Sequence, residues 1–342
     1  MLKNKLVFFY ALLCMSIVVA TIIFLYKWDK SIQIYNEGEE LEKEIEQIKE
    51  YFSMLPTKKI KLKITATGEI KETSMNDYLI GVVPSEMSPL SEVEALKAQA
   101  IVARTYAYEK MKNNGHSDCD ICDNYAHCQA YYDIQNIINI WKNRGYDDSE
   151  CLEKVKEAVY STENVVITYN GDLIKAYFHA DSGGKTEDVS AIWGKQNIPY
   201  LVSVESRGEE NHKYYKTTEK FSVAELETKL NANTSKECSI KNITDNLIKI
   251  ISYTKSGRVD QVDIGGIIYT ASELRAALGL KSTNFTVQYS NNEVVFNVTG
   301  YGHGVGMSQT GANYYAKNGM NAKEIIQHYY TGVDLAYLNT KD

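Results

Sequence analysis

The chain has 342 residues, 44% of them hydrophobic and 24% charged, with a formal net charge of −7. That is enough apolar content to bury the core of one large domain or two small ones. The acidic balance argues against nucleic acid as the main partner, because phosphate backbones are bound by a basic footprint.

Leu6 to Tyr26 carries no charge, and its 21 positions at about 1.5 Å each reach across a hydrocarbon core. No small-x-small cleavage site follows, so residues 6–26 read as one uncleaved transmembrane anchor behind a cytoplasmic tip, residues 1–5. A cleaved signal peptide is the alternative. Lys3 and Lys5 before the run are balanced by Lys27 and Lys30 after it, so the flanking charges orient it weakly. Residues 27–57 form a charged stalk. Leu41, Ile45 and Ile48 share a helical face there, a stripe too brief for a coiled coil, and Pro56 ends it.

Beyond the stalk, residues 58–342 read as a single α+β ectodomain, with strands and helices interspersed without a βαβ rhythm. Ile60, Leu62 and Ile64 alternate as in a half-buried strand. Tyr78 to Val83 is an apolar run leading into a loop bracketed by Pro84 and Pro89, with Glu86 at its centre. Ser91-x-x-Glu94 predicts a capping box opening a helix over about 92–111, and Val93, Leu96, Ala100, Ala103, Ala107 and Met111 form its apolar stripe. Residues 133–162 read as helical. Asn170-Gly171 predicts a hairpin between Val165–Tyr169 and Leu173–Phe178. Weaker signals between 209 and 297 give helices near 223–230 and 271–278 and strands near 247–253 and 259–264, read as an inserted subdomain. Two short helices close the chain, the last capped by Asn321.

Glu86 is a lone acid held in place. A helix N-terminus would lower its pKa, burial against Val82, Val83 and Met87 would raise it, and the sequence leaves the balance open. His116, Cys119, Cys122, His127 and Cys128 put five soft or borderline donors into thirteen positions, which suits tetrahedral Zn²⁺. A Cys119–Cys122 or Cys119–Cys128 disulfide is the alternative. Two glycine-rich loops, 179–184 and 300–312, match neither a phosphate-binding nor a dinucleotide fingerprint. His303 with Ser308 or Ser182 and Asp181 suggests a hydrolase triad, but no Gly-x-Ser-x-Gly elbow is present. Tyr177, Ser182, Gly183, His303 and Gln309, in or beside these loops, are the candidate sugar contacts. The 26 tyrosines suit sugar binding and ordinary cores alike.

Val83-Pro-Ser-Glu-Met87, Glu94-Ala-Leu-Lys-Ala-Gln-Ala100, Ala103-Arg-Thr-Tyr106, His127-Cys-Gln-Ala-Tyr131, Ser182-Gly-Gly-Lys-Thr186, Ile198-Pro-Tyr-Leu-Val-Ser-Val204 and Gly302-His-Gly-Val-Gly-Met-Ser-Gln-Thr-Gly-Ala312 occur in this order. In these pieces the chain resembles the stage II sporulation protein D family, lytic transglycosylases of the cell wall. The resemblance implies that Glu86 is the acid/base, with Lys97 and Arg104 as positive groups. These two lie seven apart on one helix face that could line a glycan groove. It implies a metal set of His116, Cys122, His127 and Cys128, with Cys119 spare. Four protein ligands close the shell, so the ion is structural. Members without these residues imply that the metal is not required chemically.

The resemblance further implies an ectodomain outside the cytoplasm and cleavage of peptide-stripped glycan between N-acetylmuramic acid and N-acetylglucosamine. The products are 1,6-anhydro ends, formed during engulfment alongside a cell-wall amidase and other membrane proteins. Glu92 and Glu94 are candidate second carboxylates, read instead as partners of the helix dipole. The same domain resembles amidase enhancers, so a non-catalytic stimulator of an amidase, or a plain glycan-binding module, stands as the alternative.

Overall fold

The computed structural model describes residues 59–113, 115–194, 197–240, 247–290 and 293–338. The expected tip, anchor and stalk lie outside the described residues. No helix among the described residues is long and apolar enough to cross a membrane. The described residues fall in one compact unit, Thr57–Asp342, of mixed α+β structure.

In chain order, β1 (Lys59–Lys63) pairs antiparallel with β2 (Ile70–Ser74). Helix α1 (Met75–Glu86) follows directly, capped by Ser74, whose side chain accepts from the Asp77 N–H. Helix α2 (Val93–Lys112) is the central element, and β3 (Ile121–Cys122) returns beside β1 in parallel. Next come α3 (Ile134–Asn143), α4 (Asp148–Tyr160), β4 (Val165–Tyr169), β5 (Asp172–Leu173), β6 (Phe178–His179) and α5 (Val189–Ile192).

The expected stripe on α2 is too narrow a description. Every residue from Ala98 to Ala107 is buried, because α1, α4, β4 and the two C-terminal helices, Gln309–Lys317 and Ala322–Tyr329, pack around the helix. Alanine at 95, 98, 100, 103 and 107 lets those neighbours approach closely. The predicted capping box does not form. The N-cap is Glu92, without a side-chain bond, and the Glu94 carboxylate accepts from Lys97 and from the Ala322 N–H.

The Asn170-Gly171 turn is present, both residues at positive φ (52° and 85°), as a tight hairpin turn requires. Its second strand stops at Leu173. Phe178–His179 pairs instead, in parallel, with Met307–Ser308, and the main partner of β4 is the last strand, Asp334–Tyr337.

A second apolar cluster runs from Phe221 to Val298, separate from the core around α2. It is built from β7 (Lys216–Ser222), α6 (Val223–Asn233), β8 (Ile248–Tyr253), β9 (Val259–Ile264), β10 (Ile267–Thr270), α7 (Ala271–Leu278), β11 (Phe285–Ser290) and β12 (Glu293–Thr299). Two three-stranded sheets, β10-β9-β8 and β11-β12-β7, enclose it. Its first and last strands are neighbours, Lys216 opposite Thr299, so the chain enters and leaves at one place. The chain then returns through β13 (Met307–Ser308), α8 (Gln309–Lys317), α9 (Ala322–Tyr329) and β14 (Asp334–Tyr337). Asn321 caps α9 in a full capping box with Glu324.

Candidate functional site

Glu86 does not sit in a loop before a helix. It is the last residue of α1, and Pro84 lies inside that helix. The ring removes one N–H from the ladder. Beside it, the Ser85 hydroxyl donates to the Gly81 carbonyl at 2.6 Å and accepts from the Tyr132 N–H. The segment Ala130–Tyr132 is thereby laid along the helix end. Only glycine fits at position 81, since a Cβ there would run into the Tyr131 ring. That close approach lets Tyr131 stack on Tyr78, with centroids 5.8 Å apart.

Within this frame the Ala130 N–H donates to Glu86 Oε1 at 2.6 Å. Burial pushes the Glu86 pKa up to about 7, against the opposing pull of the Ala130 N–H and the Gln309 side chain. Its place at a helix C-terminus, the negative end of the dipole, acts in the same direction as burial. The groups that shift its acidity include no second carboxylate. Glu94 is engaged elsewhere. Burial works against its charge, but Lys97 and the Ala322 N–H hold it below the usual carboxylate range.

The expected cationic face divides. Lys97 is half-buried, 2.8 Å from Glu94 and 3.8 Å from Glu157. Arg104 is 1% exposed and lines no groove. Its guanidinium donates to the carbonyls of Thr162, Val165 and Val159, tying α2 to the end of α4 and the start of β4. An arginine inside an alanine-rich helix can reach orphan carbonyls at a neighbouring helix C-terminus, and here it does.

The glycine-rich loops divide likewise. Ser182 is buried, and its hydroxyl is bound to the Glu209 carboxylate. Gly183, at φ +72°, packs against Thr299 and Asn284 and donates its N–H to Asp181. Both hold the loop together and neither presents a sugar contact. Glu209 is the hub, accepting from Ser182, Gly184, Ser206 and Ser308, with its pKa raised by burial and by nearby Asp181. The surrounding sequence, Ser206-Arg-Gly-Glu209, holds only the Ser206 donor, and the others come from two distant segments, at 182–184 and at 308. No triad forms: Asp181 pairs with His212 rather than His303, and both candidate serines serve Glu209.

Tyr177 and His303 come together, with ring centroids 6.4 Å apart, while Gln309 follows β13 elsewhere. Gln309 lies between Glu86 and Gln99. Tyr177 and His303 form an aromatic group with Trp193, which the sequence analysis did not single out. Trp193 is 41% exposed, 4.6 Å from Tyr177 and 5.0 Å from His303. The Val305 N–H donates to His303 Nδ1. Burial and the Arg275 and Arg258 charges push the His303 pKa down to about 3, so its ring is neutral at physiological pH. Tyr106 extends the group from Tyr177 towards the His127 carbonyl.

The four expected metal-binding side chains converge. His116, Cys122, His127 and Cys128 offer donor atoms all within 4.8 Å of one another. His116 Nε2 is 3.2 Å and His127 Nδ1 3.4 Å from Cys128 Sγ, and Cys122 Sγ is 3.9 Å from His127 Nδ1. Tetrahedral bonds of roughly 2.0–2.3 Å place ligand atoms about 3.3–3.8 Å apart, so the donor set fits one Zn²⁺. The pairing of β3 with β1 fixes Cys122. A turn closed by Cys128 N–H to the Asn124 carbonyl, at 2.7 Å, brings His127 and Cys128 back. Cys119 falls outside this set and groups with His116 and Asp118. Cys119, Cys122, Cys128, Cys151 and Cys238 are free thiols, so neither alternative disulfide is present.

The family model described as Stage II sporulation protein matches residues 63–169, the stretch that holds Glu86, the metal donors and the whole of α2. Stage II sporulation protein D of Bacillus amyloliquefaciens is 34% identical over 275 residues, covering 80% of this chain and 77% of that protein. The chain belongs to the stage II sporulation protein D family. The Bacillus subtilis family member is 33% identical over 282 residues, covering 80% and 79% of the two chains. An amidase enhancer of Bacillus subtilis is 27% identical over 307 residues, covering 75% of this chain and 40% of that protein. Residues 195–306, which include the second core of this family member, match a domain of unknown function (DUF8618).

Proposed function

We propose that this family member is a lytic transglycosylase that cuts peptide-stripped peptidoglycan strands during sporulation. The observation that carries the reading is Glu86, a single buried carboxyl with a pKa near 7 and no second carboxylate acting on it. Hydrolytic glycosidases use two carboxylates, one to protonate the leaving oxygen and one for water or covalent attack. One suffices when the nucleophile belongs to the substrate. The protonated Glu86 gives its proton to the glycosidic oxygen. The resulting carboxylate takes the proton of the muramic C6 hydroxyl as that oxygen attacks C1, giving the 1,6-anhydro ring and restoring the acid. The hydroxyl is already tethered near the carbon, an effective-molarity advantage over water. The Ala130 N–H steadies Glu86 in its carboxylate form, and the Tyr177–Trp193–His303 aromatic group offers faces for sugar rings.

In this reading His116, Cys122, His127 and Cys128 hold a structural zinc, which supplies cross-linking to a loop that has little core of its own. The uncharged run 6–26 anchors the chain, with the ectodomain on the outer side of the cell membrane, where a cell-wall amidase strips the glycan and other engulfment proteins assemble. The similarity to an amidase enhancer favours a second reading, a non-catalytic stimulator of that amidase. Full-length protein in detergent, incubated with denuded strands and no amidase, separates the two. Strand shortening is expected. Intact strands, with faster peptide release only when an amidase is added, would replace the first reading by the second.

A further inference from the structure

The Ala130–Tyr132 segment, which contacts Glu86, also forms part of the wall of an open cavity of about 410 Å³. It is lined by Thr65, Lys71, Asp123, Tyr125, Tyr132 and Asn136, among others. Its volume falls within the range of small-molecule sites. The lining mixes phenol rings with an amide, an ammonium and carboxylates, a set suited to a hydroxyl-bearing pyranose with an N-acetyl group. Tyr125 is 81% and Tyr132 53% exposed, unusual for large aromatic side chains. The side chains of Tyr125, Tyr132 and Asn136 have no hydrogen-bond or ring partner among the described residues. Asp123 is held in place, accepting from the N–H and hydroxyl of Thr65, and Asp133 caps α3, so the walls are fixed while those three side chains are available.

Two connections tie the cavity to the candidate site. The wall residue Ala130 donates its N–H to Glu86, and the wall residue Tyr132 donates its N–H to Ser85. Asp123, Asn124 and Tyr125 lie between the metal donors Cys122 and His127, so the loop that the metal set closes is also a cavity wall. We infer that this cavity is a saccharide subsite, taking one N-acetylated hexosamine of a glycan strand beside the bond cut at Glu86. The inference rests on the proposed function for its substrate. It adds that strand binding, rather than chemistry, depends on Tyr125, Tyr132 and Asn136, and that an ordered 116–128 loop is needed to bind.

The test uses full-length protein in detergent and oligomers of N-acetylglucosamine, with calorimetry for binding and denuded strands for activity. Tyr125→Ala and Asn136→Ala are expected to raise the Kd for the oligomers by about tenfold, the loss of one good contact. KM on strands should rise by a similar factor with kcat little changed, and melting temperature should stay constant because both side chains are at the surface. Equal oligomer affinity in wild type and both variants, or no oligomer binding by the wild type, would overturn the subsite. If the oligomers bind and the variants weaken them, but no anhydro ends are ever formed, the transglycosylase reading fails and the subsite stands.

Discussion

The Ala130 N–H lies 2.6 Å from Glu86 Oε1 and donates to it, which joins the end of α1 to the segment that leaves the metal loop. A donor at this distance favours the carboxylate, while burial favours the neutral acid, and burial prevails. Glu86 is therefore poised between its two forms near neutrality, as a group that must first give and then take a proton requires.

One consequence is a pH profile. Glu86 must be protonated for the first step, and its pKa is about 7. Cleavage measured as kcat/KM should fall tenfold per pH unit well above 7 and level off below it. A rate independent of pH between 6 and 9 would remove Glu86 as the acid.

A second consequence concerns stability. The folded pKa of Glu86, about 7, exceeds the ordinary 4.5, so the folded state binds more protons than the unfolded one between those values. The favourable contribution of the protonated form is present below 4.5 and is lost as pH rises through 7, a difference of a few kcal/mol. Glu86→Gln stays uncharged and can still accept from the Ala130 N–H. Thermal melts should show Glu86→Gln more stable than wild type at pH 8 and nearly equal to it at pH 5. A variant that is less stable at both would show that the site carries no such cost.

The metal set makes a separate prediction. Protein purified without chelator should contain one zinc, and its removal should lower the melting temperature, since binding to the native state adds to folding free energy. Cys128→Ser should lose the ion, because Cys128 Sγ is the donor closest to both histidines. Cys119→Ser should keep it. Elemental analysis and melts of the two variants check this.

Arg104 and Lys97 should behave differently although they share a helix. Arg104→Met leaves three buried carbonyls without their donor and should destabilise by at least ~3 kcal/mol. Lys97→Ala removes a partly exposed ion pair and should cost ~0–1 kcal/mol. Urea melts of both variants give the comparison.

These residues also show where sequence is informative. Regular periodicity and local turn chemistry were legible: the span of α2, the Asn170-Gly171 turn, the Asn321 cap and both helices of the second core. The cluster of five soft donors was legible because they lie close together in the chain, and the four that converge are those the family resemblance implied. Glu86 was misplaced because Pro84 reads as a helix breaker, whereas the helix runs through it to Glu86, with the Ser85 side chain bonded to the Gly81 carbonyl and the Tyr132 N–H. Arg104 was misread because a seven-residue spacing gives a helix face but not what covers it. Glu209 left no signal, since of its donor residues only Ser206 is near it in sequence, and Ser182, Gly184 and Ser308 reach it only in three dimensions. The strands β7 and β12 lack a clean alternation and take their shape from pairing with each other, whereas β11, Phe285-Thr-Val-Gln-Tyr-Ser290, alternates cleanly and was legible but not singled out.

The chemical nature of the new chain ends distinguishes a transglycosylase from a hydrolase most directly. Denuded glycan strands digested by full-length protein and read by mass spectrometry should end in 1,6-anhydro-N-acetylmuramic acid. Folded Glu86→Gln should bind the strands and leave them uncut, a loss of at least the ~10²–10⁴-fold that general acid–base catalysis supplies. Ordinary reducing ends from the wild type, or full cleavage by folded Glu86→Gln, would contradict it.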